Sequence, residues 1–475
     1  MAVARWQRST LLTAFGDFVD AVIIGAGVVG CAMARRFSVE GASVVVLERA
    51  PDILSGASKA NSAILHTGFD APPGSVELQC MQSGYDEYMQ IRESFNLPIL
   101  ETGAMVAAWD DSEEGRLPEL LDQALLNGVA DARLVGRAEV LAREPALGTH
   151  VRAALLVPRE IIIDPWSAPL AYAMQAKALG ARFQFNAGLL SARFDGDLWH
   201  LETPSGTLAA RSVINSAGIQ GDSVERMLLG EAQFEIRPRK GQFVVFDKAA
   251  AKHLRTILLP VPTARTKGVV LTRTIFGNLL VGPTAEEQEE RERPDVTRPE
   301  LDMLIAKAVE LVPALAQAQV TAVYAGLRPA SEEKHYRVHY LPEKGYFCAG
   351  GIRSTGLTAA LGIARHVHGL WAQSRTAGGE RFAAPPTFPL PNLAEHLPRD
   401  WQTPGHDGIV CHCEMVTGRE IEAALGSPLP PGDFGGLRRR TRCAMGRCQG
   451  FNCLARLASL TEGRLSVPIA PEVDP

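Results

Sequence analysis

Five of the chain's eight cysteines fall between positions 411 and 453, in the stretches CHCEMVTGRE (411–420) and TRCAMGRCQGFNC (441–453). Cys411 and Cys413 are separated by one residue and cannot readily bridge to each other, so the pair reads as a set of ligands. Cys448 and Cys453, spaced C-x4-C, bring the thiolates to four. Four thiolates suit a [2Fe–2S] cluster or a structural zinc, and the C-x-C spacing speaks mildly against zinc. Cys443 makes a second C-x4-C with Cys448, so an exchange of ligands stays open. Near the other end, Gly25, Gly27 and Gly30 form G-A-G-V-V-G, and Glu48 follows Gly25 by 23 residues. Such glycines give a tight turn, close approach of a pyrophosphate and close helix packing, while the acid accepts from ribose hydroxyls. An acid at that place disfavours the 2′-phosphate of NADP.

These groups need elements to hold them. VDAVIIGAG (19–27) reads as a buried strand entering a glycine turn, VVGCAMARRFSVEG as a helix and SVVVLE (43–48) as the second strand of a βαβ unit. Helical patterning covers 75–95 and 112–147. Strands then dominate: residues 182–206 alternate and turn at Asp-Gly and Ser-Gly as hairpins do. SVINSAG (212–218) reads as a buried strand, and GQFVVFD, GVVLTRT and NLLVGPT as strands of a mixed sheet. Helices are expected at 298–312 and 356–373. A proline-rich run, AAPPTFPLPNLAEHLPRDWQTPGHDG, predicts an extended linker. The expected fold class is α/β with mixed α+β character. A Rossmann-type nucleotide-binding domain interweaves with a mixed-sheet substrate domain over 19–375. A linker spans 376–405, and a small cysteine domain spans 406–465.

Two more Gly/Ser-rich turns approach the nucleotide motif, SGASKANSAILHTGFD (55–70) and GGIRSTGLTAALGIA (350–364), the second opening a helix. A helix N-terminus supplies backbone donors to a flavin ring carbonyl and favours the charge of reduced flavin, so FAD is the expected cofactor. Candidate cofactor contacts are Glu48 and Arg49 after the second strand, Ser58, Asn61 and Ser62 in the first turn, and Ser354, Gly356, Leu357 and Thr358 in the second. The layout resembles the D-amino-acid-oxidase-like FAD oxidoreductases. It looks most like the anaerobic type of glycerol-3-phosphate dehydrogenase and its L-2-hydroxyglutarate-oxidising relatives. The segments NSAILHTGFDAPPGS, RPRKGQF, PTARTKGVVLT, GNLLVGPTAEE, YAGLRPAS and GIRSTGLTAA carry the resemblance.

The resemblance implies that His66 is a general base beside the flavin, with Ser62 next to it. A hydride leaving a carbinol carbon needs its hydroxyl proton removed, and histidine titrates near neutral pH. It implies that Arg328 grips an anionic substrate through two parallel hydrogen bonds. Lys267 is a further candidate for anion contact and Ser354 for the flavin edge. Asn215, Gly218 and Asp222 lie in NSAGIQGD, where the chain returns to the nucleotide-binding domain. Two departures stand out. EEKHYRVHYLPEKG (332–345) is unusually basic and aromatic and could line the substrate entrance, and Ala63 stands where relatives often have Gly or Ser. The C-terminal cysteines resemble the bacterioferritin-associated-ferredoxin-like domain appended to this family, which implies Cys411, Cys413, Cys448 and Cys453 as the cluster ligands. Cys31, Cys80 and Cys348 read as inert core residues. The basic run LRRRTR (437–442) reads as a solvated face, or as charge that offsets thiolates or docks an acidic partner.

With 46% apolar and 21% charged residues and a net charge of −5, the chain is an ordinary globular protein and no general nucleic-acid binder. No apolar run reaches the length of a bilayer span, and the short N-terminal apolar stretch, ending in Asp17, does not read as a secretory signal. The expected place is the cytoplasm, with peripheral docking at the inner face of the membrane left open. The expected function is FAD-dependent dehydrogenation of an anionic secondary alcohol. Glycerol 3-phosphate is first, a 2-hydroxy acid such as L-2-hydroxyglutarate second, and a secondary amine acid third. Electrons would pass to a quinone or protein acceptor, and a partner subunit or homo-oligomer is open. A competing class is a regulatory or iron-handling module with a degenerate flavin part.

Overall fold

The computed structural model describes residues 18–262, 268–374 and 380–470. β1 (Val19–Ile24), α1 (Val28–Val39) and β2 (Val44–Leu47) form the expected βαβ unit, with the two strands parallel. The first sheet has eight strands. β1 lies between β2 and Gly206–Asn215, and Tyr346–Gly350 adds on beyond the latter, all four running parallel. Both faces of this parallel centre are covered, so residues 21–24, 44–47, 213–214 and 346–349 are buried apolar runs. The hairpins turn at Asp195-Gly196 and Ser205-Gly206, as their turn chemistry predicts.

A second, nine-stranded mixed sheet centres on Arg239–Phe246 and its antiparallel neighbours Val320–Arg328 and Leu279–Gly282. The chain passes repeatedly between the two sheets. A three-stranded ribbon, with Ile64–Leu65 paired to Ile161–Ile163, lies at their junction. Helices Val28–Val39, Val76–Ile91 and Gly356–Ser374 pack together. Small residues let the last two touch: a Cβ on Gly84 would fall 2.2 Å from Thr358 O, and one on Gly362 would fall 2.0 Å from Cys80 O.

Two local expectations change. Residues 112–147 are not one helical region: helix Asp111–Leu126 ends at Asn127-Gly128, where Gly128 is left-handed, and a strand (Arg133–Gly136) precedes a short helix. Ser167–Ala178 is a helix in a region expected to be strands. Ten of its residues, Ser167 to Ala176, are buried, so it has no polar face to give it a period. The proline-rich segment runs over the body as a strap, tied down at several points. Phe382 N–H donates to Val39 O, Leu390 N–H to Phe95 O and Glu395 N–H to Ile275 O, each at 2.9 Å, and Leu390, Leu393 and Ala394 are buried.

The cysteine-bearing segment has its own small core around Val416, Ile421, Leu437 and Leu457. It sits against the loop that follows β2. Arg440 pairs with Asp52 through Nη1–Oδ2 at 2.6 Å and Nη2–Oδ1 at 2.9 Å, both side chains buried, and Arg439 Nη2 donates to Ile53 O at 3.0 Å. A Cβ on Gly432 would fall 1.7 Å from Pro51 O, which shows how closely the backbones meet. Arg442 pairs with Glu414 and lies 4.1 Å from the Phe276 ring centroid, and Arg447 pairs with Asp247 at 2.5 Å. The basic run 437–442 is therefore not a solvated face. It is largely the contact between this segment and the rest of its own chain.

Candidate active site and cysteine centre

The glycine turn is built as its sequence demands. Gly25 has φ +100°, and a Cβ on Gly30 would fall 1.9 Å from Gly25 O, so α1 can start against β1 only without a side chain there. Glu48 accepts from Ala26 N–H at 2.7 Å with one oxygen and from Ala50 N–H at 2.9 Å with the other. Burial pushes its carboxyl up, and these amides pull it partly back. Arg49 lines the outer edge of the cavity, where its Nη1 lies 3.3 Å from Glu292. Ser58 Oγ accepts from Val28 N–H at 3.0 Å at the opening of α1, which leaves its hydroxyl proton to donate onward.

The loop from Ser58 to His66 is shaped by Asn61, whose Nδ2 donates to Ser58 O and whose Oδ1 accepts from Ala63 N–H at 2.8 Å. That turn places Ala63 in the left-handed region at φ 59°. His66 N–H donates to Thr358 Oγ1 at 3.0 Å. Thr358 thus stands behind the cavity wall and positions His66, whereas Ser354, Gly356 and Leu357 line the cavity.

His66 Nδ1 lies 2.6 Å from Glu160 Oε2. Glu160 is fully buried, and its other oxygen accepts from Thr67 N–H at 2.6 Å and Thr67 Oγ1 at 2.8 Å. With the carboxylate accepting from Nδ1–H, Nε2 is the nitrogen left to take a proton. Glu160 follows an ordinary apolar strand as part of PRE, and nothing local in the sequence marks it.

Arg328 ends its strand directly opposite Arg239 in the ladder. Its guanidinium crosses the bare face of Gly241, donating to Thr284 O at 3.1 Å; a Cβ on Gly241 would fall 2.6 Å from Nη2. Burial, followed by the like charges of Arg239 and Arg353, lowers its pKa to about 10, still fully charged at neutral pH. One cavity of about 1170 Å³ runs from Gly25 and Glu48 past Ser62 and His66 to Arg328, Arg239 and Arg353. Lys267 lies outside the described residues. From the basic stretch 332–345 only Lys334 lines this cavity: Tyr336 is buried against Thr355, Arg337 pairs with Glu332 and His339 with Glu225.

Residues 20–370 match the family model described as FAD dependent oxidoreductase, DAO. The chain belongs to this family of FAD-dependent oxidoreductases. It is 29% identical over 457 residues to a glycerol 3-phosphate dehydrogenase of Caloramator mitchellensis, covering 94% of this chain and 95% of the relative. It is 28% identical over 358 residues to a glycerol 3-phosphate oxidase of Mycoplasma pneumoniae, covering 73% and 92%. An L-2-hydroxyglutarate dehydrogenase of Indibacter alkaliphilus is 27% identical over 274 residues, covering 57% and 68%. Among solved structures, the FAD-bound L-alpha-glycerophosphate oxidase of Mycoplasma pneumoniae superposes with a TM-score of 0.72 at 24% identity. That match spans 79% of this chain and 99% of the neighbour, which bears on the fold.

The oxidoreductase has a cavity that fits its cofactor: a side-chain-free glycine turn at one end, a buried carboxylate beside it and one unbroken space to the histidine. Gly25, Gly27, Glu48 and Ser58 would hold the nucleotide half, with Gly30 letting the helix pack behind them, and Ser62 and Ser354 to Leu357 would face the flavin half.

In the same oxidoreductase, Cys411, Cys413, Cys448 and Cys453 come together from two loops. Cys411 lies beside Cys453 and Cys413 beside Cys448; Cys411 and Cys453 are buried, while Cys413 and Cys448 are half-buried. Among the described residues no three of these sulfurs lie within 4.8 Å of one another. Met415, Arg442, Ala444 and Gln449 in these loops all take left-handed backbone conformations, so the chain is bent tightly around the thiols. Cys443 is buried beside Cys411 and Cys453, and burial pushes its thiol up to about 12. Cys31, Cys80 and Cys348 are buried in the core, Cys80 likewise pushed up to about 12 by burial.

Proposed function

We propose that this oxidoreductase oxidises glycerol 3-phosphate to dihydroxyacetone phosphate. The observation that carries the reading is one cavity holding a carboxylate-anchored histidine and, at its far end, a group of guanidiniums. Similarity to glycerol 3-phosphate dehydrogenases and oxidases over most of the chain supports it. Arg328 binds the phosphate and sets the distance from it to the reacting carbon. Nε2 of His66 takes the hydroxyl proton of the secondary alcohol, and Glu160 keeps the imidazole turned and steadies the cation that results. Bound FAD supplies the two-electron acceptor for the hydride of the same carbon. Lys267 is proposed as an additional anion contact.

We further propose that Cys411, Cys413, Cys448 and Cys453 hold a [2Fe–2S] cluster. Four thiolates gathered from two tight loops suit a [2Fe–2S] cluster, and the C-x-C spacing of Cys411 and Cys413 speaks mildly against zinc. The cluster would pass electrons on to a quinone or protein acceptor. We place the protein in the cytoplasm, working at the inner face of the membrane when the acceptor is a quinone. No helix among the described residues is long and apolar enough to cross a membrane.

The test is anaerobic titration of the FAD-loaded protein with glycerol 3-phosphate. Loss of oxidised-flavin absorbance near ~450 nm supports the reading. A flavin that stays oxidised with glycerol 3-phosphate but bleaches with L-2-hydroxyglutarate would move the substrate to the 2-hydroxy acids.

A further inference from the structure

The far end of the cavity holds more positive charge than a single carboxylate requires. Arg328 and Arg239 face each other across one ladder, and Arg353 enters from the turn before helix Gly356–Ser374, on the other sheet's side. Among the described residues, neither Arg328 nor Arg353 has a carboxylate within ion-pair distance. Burial, then Arg239, lowers the pKa of Arg353, with the field of Glu77 acting the other way. The cavity shares Arg239, Lys334 and Arg353 with a second one of about 760 Å³, whose far wall carries Glu286, Glu287, Glu300, Glu332 and Glu333, so the positive charge is concentrated on the side of Arg328. Half-buried like charges repel each other, and a site keeps them together at a cost that a bound anion removes.

A carboxylate carries one charge and two acceptor oxygens, which one bidentate arginine satisfies. A phosphate monoester carries about −1.5 to −2 near pH 7 and offers three oxygens, which one guanidinium cannot cover. We propose that Arg353 is a specificity-determining residue that meets the phosphate from the face opposite Arg328, so that the site selects a phosphate dianion over a carboxylate. The inference rests on the proposed reading of the substrate and extends it.

The experiment compares the FAD-loaded wild-type enzyme with R353Q and R353K in steady-state oxidation of glycerol 3-phosphate from pH 5.5 to 8. Inorganic phosphate serves as a competitive inhibitor that needs no turnover. In the wild type, KM should fall as pH rises through about 6, where the substrate becomes a dianion. In R353Q, KM and the phosphate inhibition constant should rise ~10–100-fold, as for loss of one charge-assisted contact, with kcat within ~3-fold and the pH limb flattened. R353K should recover part of the loss. A KM within ~3-fold of wild type with the pH limb intact would overturn the inference while leaving the substrate reading standing. Loss of FAD from R353Q would also overturn it, by placing Arg353 in the cofactor's cradle. A wild-type enzyme that neither oxidises glycerol 3-phosphate nor binds phosphate would remove the substrate reading itself.

Discussion

His66 and Glu160 stand 94 residues apart in the chain, and Nδ1 of the one lies 2.6 Å from Oε2 of the other. Thr67 donates twice to the second carboxylate oxygen, so the acid cannot turn away. The imidazole is thereby fixed in tautomer and direction before any substrate arrives.

Glu160→Gln should keep the fold and the bound FAD but lower kcat by about 10²-fold or more, with KM within ~3-fold. Glu160→Asp should restore part of the loss. Steady-state kinetics with flavin content measured in parallel makes the check. A drop in flavin content matching the drop in rate would show a purely structural role.

The four paired cysteines and Cys443 differ in what their loss should do. Cys448→Ser should abolish the visible iron–sulfur absorbance and the acid-labile sulfide, whereas Cys443→Ser should leave both unchanged. Iron and sulfide analysis of anaerobically purified protein distinguishes them. Loss of iron from Cys443→Ser would make that residue a ligand.

Asp52 and Arg440 are both buried where the cysteine segment meets the loop after β2. Asp52→Ala leaves a buried guanidinium without its partner and should destabilise that contact by about 3–5 kcal/mol. The expected result is a lower Tm and new proteolytic cleavage between residues 380 and 408. Unchanged cleavage would show that the strap contacts suffice to hold the segment.

The Asp247–Arg447 contact on the same segment gives a pH signature. The hydrogen bond from Arg447 is the main cause that lowers the Asp247 carboxyl to about 2. A folded value below the unfolded one, near 3.9, means that the contribution is fully present above about pH 4 and is lost as pH falls toward 2. Arg447→Gln removes that dependence, so acid release of the segment should begin at a higher pH than in the wild type. Tryptophan fluorescence followed from pH 6 to 2 reads the difference.

The nucleotide cradle was legible because its information is local: Gly25, Gly27, Gly30 and Glu48 sit in one βαβ unit whose strands and helix follow from apolar periodicity. His66 was singled out by its motif, and the structure places it on the cavity wall. Glu160 was not, since a carboxylate after a short apolar strand has no pattern that distinguishes it from a surface acid. Helix Ser167–Ala178 was missed because burial on every side erases amphipathicity. The arginines of 437–442 read as surface because charge runs usually are. Their partners, Asp52, Ile53 O and Glu414, are supplied by tertiary structure. The prolines of the strap point to an extended chain, but they say nothing of the hydrogen bonds that Phe382 and Leu390 make with the body.

The parallel centre of the first sheet takes β1 from residues 19–24, its neighbour from 206–215 and the strand beyond from 346–350. On the ribosome, therefore, the glycine turn emerges long before the walls of its pocket exist. A nascent chain shorter than about 350 residues has no Tyr346–Gly350 strand and no Ser354 turn, and Asp52 waits longer still for Arg440. Cofactor capture is thus a late event in the life of each molecule. The cell must supply FAD to a nearly finished chain rather than to a growing one, and flavin shortage should leave a full-length apoprotein instead of early truncated products.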